Sequence, residues 1–127
     1  MIIITNNEKV MKESYTSCTI EYVHGSYGDV LITVRDRIHK GHKLLTHPLS
    51  GSVKPNETPY KSIIISKRME ELDMDSLFII EDSIKIYEQF MKNPTRFGDT
   101  NQEHVLNDFR EVDYRLLMGA LKSAMSK

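Results

Sequence analysis

Strand-forming and helix-forming segments alternate along this chain, and that alternation restricts its fold more than any other feature. Residues 2–5 form a β-branched run, Ile2-Ile3-Ile4-Thr5, closed by Asn6-Asn7. The run reads as a short buried strand. Asparagine is a good helix cap, and a helix over 8–15 follows, with Val10, Met11 and Tyr15 turned inward. Cys18 to Val23 is a second strand. Ser26 and Asp29 then form a capping-box pattern. Val30, Leu31, Val34 and Ile38 recur at helical spacing, and Gly41 supplies a stop, which predicts a helix over 27–40.

Lys43 to Thr46 reads as a third strand. Residues 47–59 are a loop holding Pro48, Pro55 and Pro59, three of the four prolines. Tyr60 to Ser66, centred on Ile63-Ile64-Ile65, is a fourth strand. Asp73 or Asp75 starts a long helix to about Lys92, with an apolar stripe through Leu77, Ile80, Ile84, Tyr87 and Met91 widened by Phe78, Ile79, Ile86 and Phe90. A stripe that wide implies burial on two sides or a partner surface. Asn93-Pro94 ends that helix, residues 94–112 are irregular or mixed, and Asp113 opens a last helix through Leu116, Leu117, Ala120, Leu121 and Ala124.

This order predicts a single α/β domain over 1–127. It is a sandwich on a mostly parallel, about four-stranded, Rossmann-like sheet flanked by helices. The first three strands should be parallel. The fourth follows a loop, so its direction stays open, with a mixed sheet the favoured reading.

Ligands of open α/β sheets bind beyond the carboxyl ends of the strands. Those ends bring Asn6 and Asn7 after strand 1, His24 and Ser26 after strand 2, and Thr46 and His47 after strand 3. The loop that follows adds Ser50, Gly51, Ser52, Lys54 and Asn56. Long loops of this kind are often functional. Ser50-Gly51-Ser52 could turn backbone N–H groups toward an anion, with Lys54 adding charge, or the segment could be a proline-braced connection. Convergence of these residues on one edge is the predicted ligand site.

His39, His42 and His47 lie close in sequence, but five extended residues separate His42 from His47 by roughly 16 Å. They do not make a metal site, and His39 and His42 read as solvated or helix-capping groups. His24 and His47 are the better pair if their strands are neighbours, as acid/base groups or anion contacts, or as caps on loop backbone. Ser26 reads as an N-cap before it reads as a nucleophile. The chain has neither a Gly-x-Ser-x-Gly elbow nor a Gly-x-Gly-x-x-Gly fingerprint, so no cofactor is called for.

The 127 residues carry 17 basic and 18 acidic side chains, a net charge of −1. That balance argues against nucleic acid as a partner. It also conceals a basic middle: residues 35–68 hold eight basic and two acidic groups, while the flanking segments are acidic. Such a block suits an anionic ligand, an acidic protein or the chain's own ends. The opening residues do not read as a signal peptide and no apolar run reaches membrane length, and lone Cys18 has no disulfide partner in the chain. Both point to the cytoplasm.

Across His39-Lys40-Gly41-His42-Lys43-Leu44-Leu45-Thr46-His47-Pro48-Leu49-Ser50-Gly51-Ser52-Val53-Lys54-Pro55-Asn56-Glu57-Thr58-Pro59-Tyr60-Lys61, together with Ile2-Ile3-Ile4-Thr5-Asn6-Asn7, the chain resembles the GrdX family. These are small proteins encoded with glycine, sarcosine and betaine reductase systems of amino-acid-fermenting anaerobes. The resemblance implies an accessory role beside such a reductase and brings no catalytic residues with it. Cys18 lacks the Cys-x-x-Cys partner that a direct redox role would want.

Three readings follow. The first is an accessory or regulatory protein that binds a small anionic metabolite or a reductase component at the strand edge and the 47–59 loop. The second is a small enzyme acting on a carboxylate or phosphorylated metabolite, with His24 or His47 as acid/base. The third is a homodimeric assembly protein using the wide 75–92 stripe.

Overall fold

A computed structural model describes residues 1–12, 18–50, 54–55, 57–92 and 103–125. The elements are β1 (Ile2–Thr5), α1 (Glu8–Lys12), β2 (Thr19–Tyr22), α2 (Tyr27–His39), β3 (Ser62–Ile65), α3 (Met74–Met91) and α4 (Glu103–Met125).

The isoleucine runs sit at the middle of the molecule. The strand order is β2-β1-β3, with β1 parallel to β2 and antiparallel to β3. Successive side chains of a strand point to opposite faces, so each run feeds two cores. Ile4, Ile63 and Ile65 pack with α2 and with Ile80 of α3. Ile3 and Ile64 pack with Val10 of α1 and with Leu117 and Leu121 of α4. A strand buried on both faces needs no polar alternation, which is why three consecutive isoleucines serve here.

The sheet therefore corrects the expected four-stranded, mostly parallel arrangement. Among the described residues it has three strands; its mixed character agrees with the reading that left the last strand's direction open. The predicted third strand, 43–46, contributes only one bridge, Leu44 with Ile65, and lies antiparallel to β3 at its outer side. The physical reason lies in its hydrogen bonds. The Lys43 N–H goes to the Ser66 hydroxyl at 2.7 Å, the Leu44 N–H to the Ser76 hydroxyl at 3.0 Å, and the Thr46 hydroxyl accepts from the Ile64 N–H at 3.0 Å. Hydroxyl groups thus replace much of the regular backbone ladder.

Helix termini follow the sequence closely at α2 and α3. Ser26 caps α2, its hydroxyl accepting from the Asp29 N–H while the Asp29 carboxylate accepts from the Ser26 N–H. At the other end Gly41 takes a φ of 108°. The His42 N–H returns to the Arg37 carbonyl and the Gly41 N–H to the Ile38 carbonyl, which closes a Schellman cap. Asp73 caps α3 through the Ser76 N–H at 3.1 Å.

Two helix expectations fail. α4 begins at Glu103, not at Asp113, and Asp113 lies mid-helix facing the sheet. Met11 is exposed, not inward, because α1 reaches the sheet through Val10 alone. Tyr15 and the Asn93-Pro94 stop lie outside the described residues.

Candidate functional site

The carboxyl end of β1 delivers two asparagines with different tasks. Asn6 holds three segments together: its amide N–H groups donate to the Gly25 and Pro59 carbonyls at 3.0 and 2.8 Å, and its side-chain oxygen accepts from the Lys61 N–H at 2.9 Å. Asn7 points the other way, under α4. Its amide donates to the Asp113 carboxylate and to the Arg110 carbonyl, each at 2.9 Å, and its oxygen accepts from the Lys9 N–H.

Around Asp113 a closed polar network forms. The Ser62 hydroxyl lies 2.7 Å from the Asp113 carboxylate and 2.7 Å from the Thr5 hydroxyl. An ionised carboxylate only accepts, so Ser62 donates to Asp113 and Thr5 donates to Ser62. Thr5 in turn accepts from the Asn7 N–H at 2.9 Å. Every proton in the ring has a place, as buried polar groups require. The ring anchors α4 to β1 and β3.

Lys61, at the entry to β3, is only 6% exposed. Its ammonium donates to the Ser50 carbonyl at 2.8 Å. Burial lowers its pKa from the ordinary lysine value, and the Asp113 charge partly opposes that. Small voids of about 20 Å³ border both Lys61 and Asp113 beneath the Ser50 segment.

Two larger clefts flank this buried pair. The first, of about 250 Å³, opens at the carboxyl ends of β1 and β2; Asn6, Glu8, Tyr22, Tyr27, Tyr60 and Tyr87 are among its walls. The second, of about 320 Å³, lies across the sheet toward α4, with Thr46, His47 and Ser50 on one wall and Ala120, Ser123 and Ala124 on the other.

The predicted site residues are thereby divided. Asn6 and Ser26 line the first cleft, and Thr46, His47 and Ser50 the second. Asn7 belongs to the Asp113 network. Lys54 is exposed, its N–H bonded to the Glu57 carboxylate. Gly51, Ser52 and Asn56 lie outside the described residues. His24 and His47 are not brought together: β2 is one edge of the sheet and the 43–46 segment lies beyond β3, three strand spacings or roughly 14 Å away. His24 is exposed with its ring edge-on to Tyr22 at 4.7 Å. His47 accepts the Leu49 N–H on Nδ1 at 3.1 Å. His42 is buried, with Nδ1 2.7 Å from the Ser66 carbonyl. Among the described residues no cluster of three or more metal-ligating side chains forms.

The basic middle is partly neutralised within the chain. Arg37 pairs with Glu21, Arg35 reaches Glu81 at 4.0 Å, and Asp113 acts on Lys61 through space.

Sequence reasoning missed Lys61 and Asp113. A signal for each existed. Lys61 and Ser62 stand at the head of an isoleucine run that must be buried. Asp113 falls in register with Leu117 and Leu121 at spacings of four, on the stripe that faces the sheet.

A family model described as GrdX-like protein matches residues 2–122. No curated protein and no solved structure matches the chain. No helix among the described residues is long and apolar enough to cross a membrane.

Proposed function

The chain belongs to the GrdX-like family, and on that footing we propose that it is a non-catalytic accessory protein of a glycine-reductase-type amino-acid fermentation system. It binds a small carboxylate- or phosphate-bearing metabolite at the strand-end edge, beneath the segment that starts at His47. The observation that carries this reading is Lys61. Its buried ammonium is held by a backbone carbonyl of that segment, with its nearest named carboxylate, Asp113, already engaged by Ser62 and Asn7. A buried cation without a direct ionic partner gains from an incoming anion. Thr46 and Ser50 border the same small void as Lys61 and add hydroxyl groups there.

The enzyme alternative is less well supported. His47 directs Nδ1 at loop backbone, His24 stands on the far edge, and the Asp113 carboxylate is committed to structural donors. Calorimetric titration with acetate, glycine, phosphate and acetyl phosphate tests the proposal. One of these anions should bind saturably, and Lys61→Met should remove that binding without loss of folded protein. Absence of binding by all four would reject it.

A protein partner has a specific observation in its favour. Met69, Leu72, Met74 and Phe78, within ten residues before and at the start of α3, are each exposed, Met69 and Phe78 by 65% and 66%. Exposed apolar side chains grouped in this way mark contact surfaces, for a reductase component or for a second copy. Sedimentation at several concentrations tests the second copy: self-association would favour the dimer, and a strict monomer with no reductase contact would count against both.

A further inference from the structure

The tyrosine cleft has a chemistry that the Lys61 reading does not use. Its rings come from four places: Tyr22 ends β2, Tyr27 starts α2, Tyr60 precedes β3, and Tyr87 lies in α3. Tyr27 and Tyr87 stack with centroids 5.3 Å apart and an interplanar angle of 16°. Among the described residues lining the cleft, Glu8 is the only one with a formal charge, and none is Lys, Arg or His.

Aromatic faces carry the negative end of the ring quadrupole. An anion entering the cleft would meet those faces and a carboxylate, whereas an organic cation is attracted by both. The nearest guanidinium to these rings, Arg110, lies 5.2 Å from the Tyr60 centroid and is paired with Glu103 at 2.7 Å. The charges of Glu8, Arg110 and Glu103 sum to −1. Burial, with the Glu8 charge adding to it, holds the Tyr22 phenol above its ordinary range; burial does the same for Tyr60. Both rings are therefore neutral at physiological pH.

Three of the hydrogen-bonding groups along the walls are already engaged. The Asn6 amide takes the Gly25 and Pro59 carbonyls, the Ser26 hydroxyl takes the Asp29 N–H, and the Thr58 hydroxyl takes the Tyr60 N–H at 3.2 Å. With Asn6, Ser26 and Thr58 engaged, the acceptors left along the walls are the Glu8 carboxylate and phenol oxygens; a quaternary nitrogen needs no acceptor and is held by charge and ring faces alone. The space, about 250 Å³, is enough for a ligand of a few heavy atoms.

We infer that this cleft binds a small quaternary ammonium compound, through cation–π contacts with the tyrosines and the charge of Glu8. The site is distinct from the Lys61 position and does not depend on it. The test is calorimetry of the full chain with choline, with its uncharged isostere 3,3-dimethyl-1-butanol, and with acetate, repeated for Glu8→Gln, Tyr22→Leu and Lys61→Met. Choline should bind saturably and the isostere about tenfold more weakly or not at all. Glu8→Gln and Tyr22→Leu should each weaken choline several-fold at unchanged melting temperature and leave acetate binding as it was. Lys61→Met should leave choline binding in place. No choline binding, equal binding of the isostere, or indifference to both cleft variants overturns the inference. Acetate binding that is lost in Lys61→Met, in a chain that ignores choline, overturns this site and leaves the Lys61 proposal standing.

Discussion

The Ser62 hydroxyl donates to the Asp113 carboxylate at 2.7 Å, joining the first residue of β3 to the middle of α4. The same carboxylate oxygen accepts from Asn7, so one buried acid ties one strand and the end of another to a helix remote in sequence.

Asp113→Ala should therefore be costly. It leaves the Ser62 hydroxyl and an Asn7 N–H buried without acceptors, which predicts a loss of about 2–4 kcal/mol. Asp113→Asn keeps one acceptor oxygen and should cost less. Ser62→Ala combined with Asp113→Ala should be less destabilising than the sum of the single changes, because the second change removes a group the first has orphaned. Urea unfolding of the four proteins checks this.

Lys61→Met behaves in the opposite sense. Burying the ammonium costs free energy that its single named hydrogen bond does not fully return, and replacing a buried ion by an apolar chain of similar length is often neutral or stabilising. The variant should match or exceed the parent in urea midpoint. A loss above about 2 kcal/mol would show that the Lys61–Ser50 bond is a main support of the loop.

Stability should change with alkaline pH in two stages. The folded-state pKa of Lys61 is lowered below the ordinary 10.5, so the unfolded chain binds more protons in the interval between the two values. Stability rises with pH across that interval. The Tyr27 phenol is pushed well above its ordinary 10.0, chiefly by burial. Above pH 10 the unfolded chain loses that proton first, and stability falls. Urea midpoints between pH 8 and 11 should show the advantage of Lys61→Met over the parent shrinking to nothing by about pH 10.5.

Gly41→Ala should destabilise by about 2–4 kcal/mol. The φ of 108° is strained for any L side chain, and an added Cβ would fall on the Glu70 backbone carbonyl. Gly119→Ala is the control: nothing lies within 4 Å of a Cβ there, and in a helix it should be stabilising by up to about 1 kcal/mol. Thermal unfolding distinguishes the two.

His47→Asn should leave both the melting temperature and anion binding nearly unchanged, since the Asn side-chain oxygen can take over the Leu49 N–H now held by Nδ1. His47→Ala should lower stability by about 1 kcal/mol. If an activity on a carboxylate or phosphorylated metabolite is found and His47→Asn abolishes it, the non-catalytic reading is wrong.

Much of the local structure was legible in the chain. The Ser26–Asp29 capping box, the Gly41 stop and the Asp73 cap are each decided by residues within four positions of one another, so they can be read without knowing the fold. The burial of both isoleucine runs was equally readable, because an unbroken β-branched run has no polar face to offer water. The candidate site was legible only in part. Asn6 and Ser26 line the cleft at the carboxyl ends of β1 and β2, whereas Thr46, His47 and Ser50 line a different one that Met1 and α4 also border.

The division arose from pairing. Nothing local to Lys43–Thr46 says that its N–H groups will meet the hydroxyls of Ser66 and Ser76, or that β3 will insert between it and β1. Asp113 shows the same limit from the other side: acidic residues at helix starts are common, and only contact with Ser62 and Asn7 reveals this one as a buried anchor. Caps, stops and apolar runs are set by short-range sterics and hydrogen bonds, and the sequence alone determined them. Strand order, the isolation of His24 from His47, the burial of Lys61 and the gathering of four tyrosines depend on which distant segments share a face, and only tertiary packing decided those.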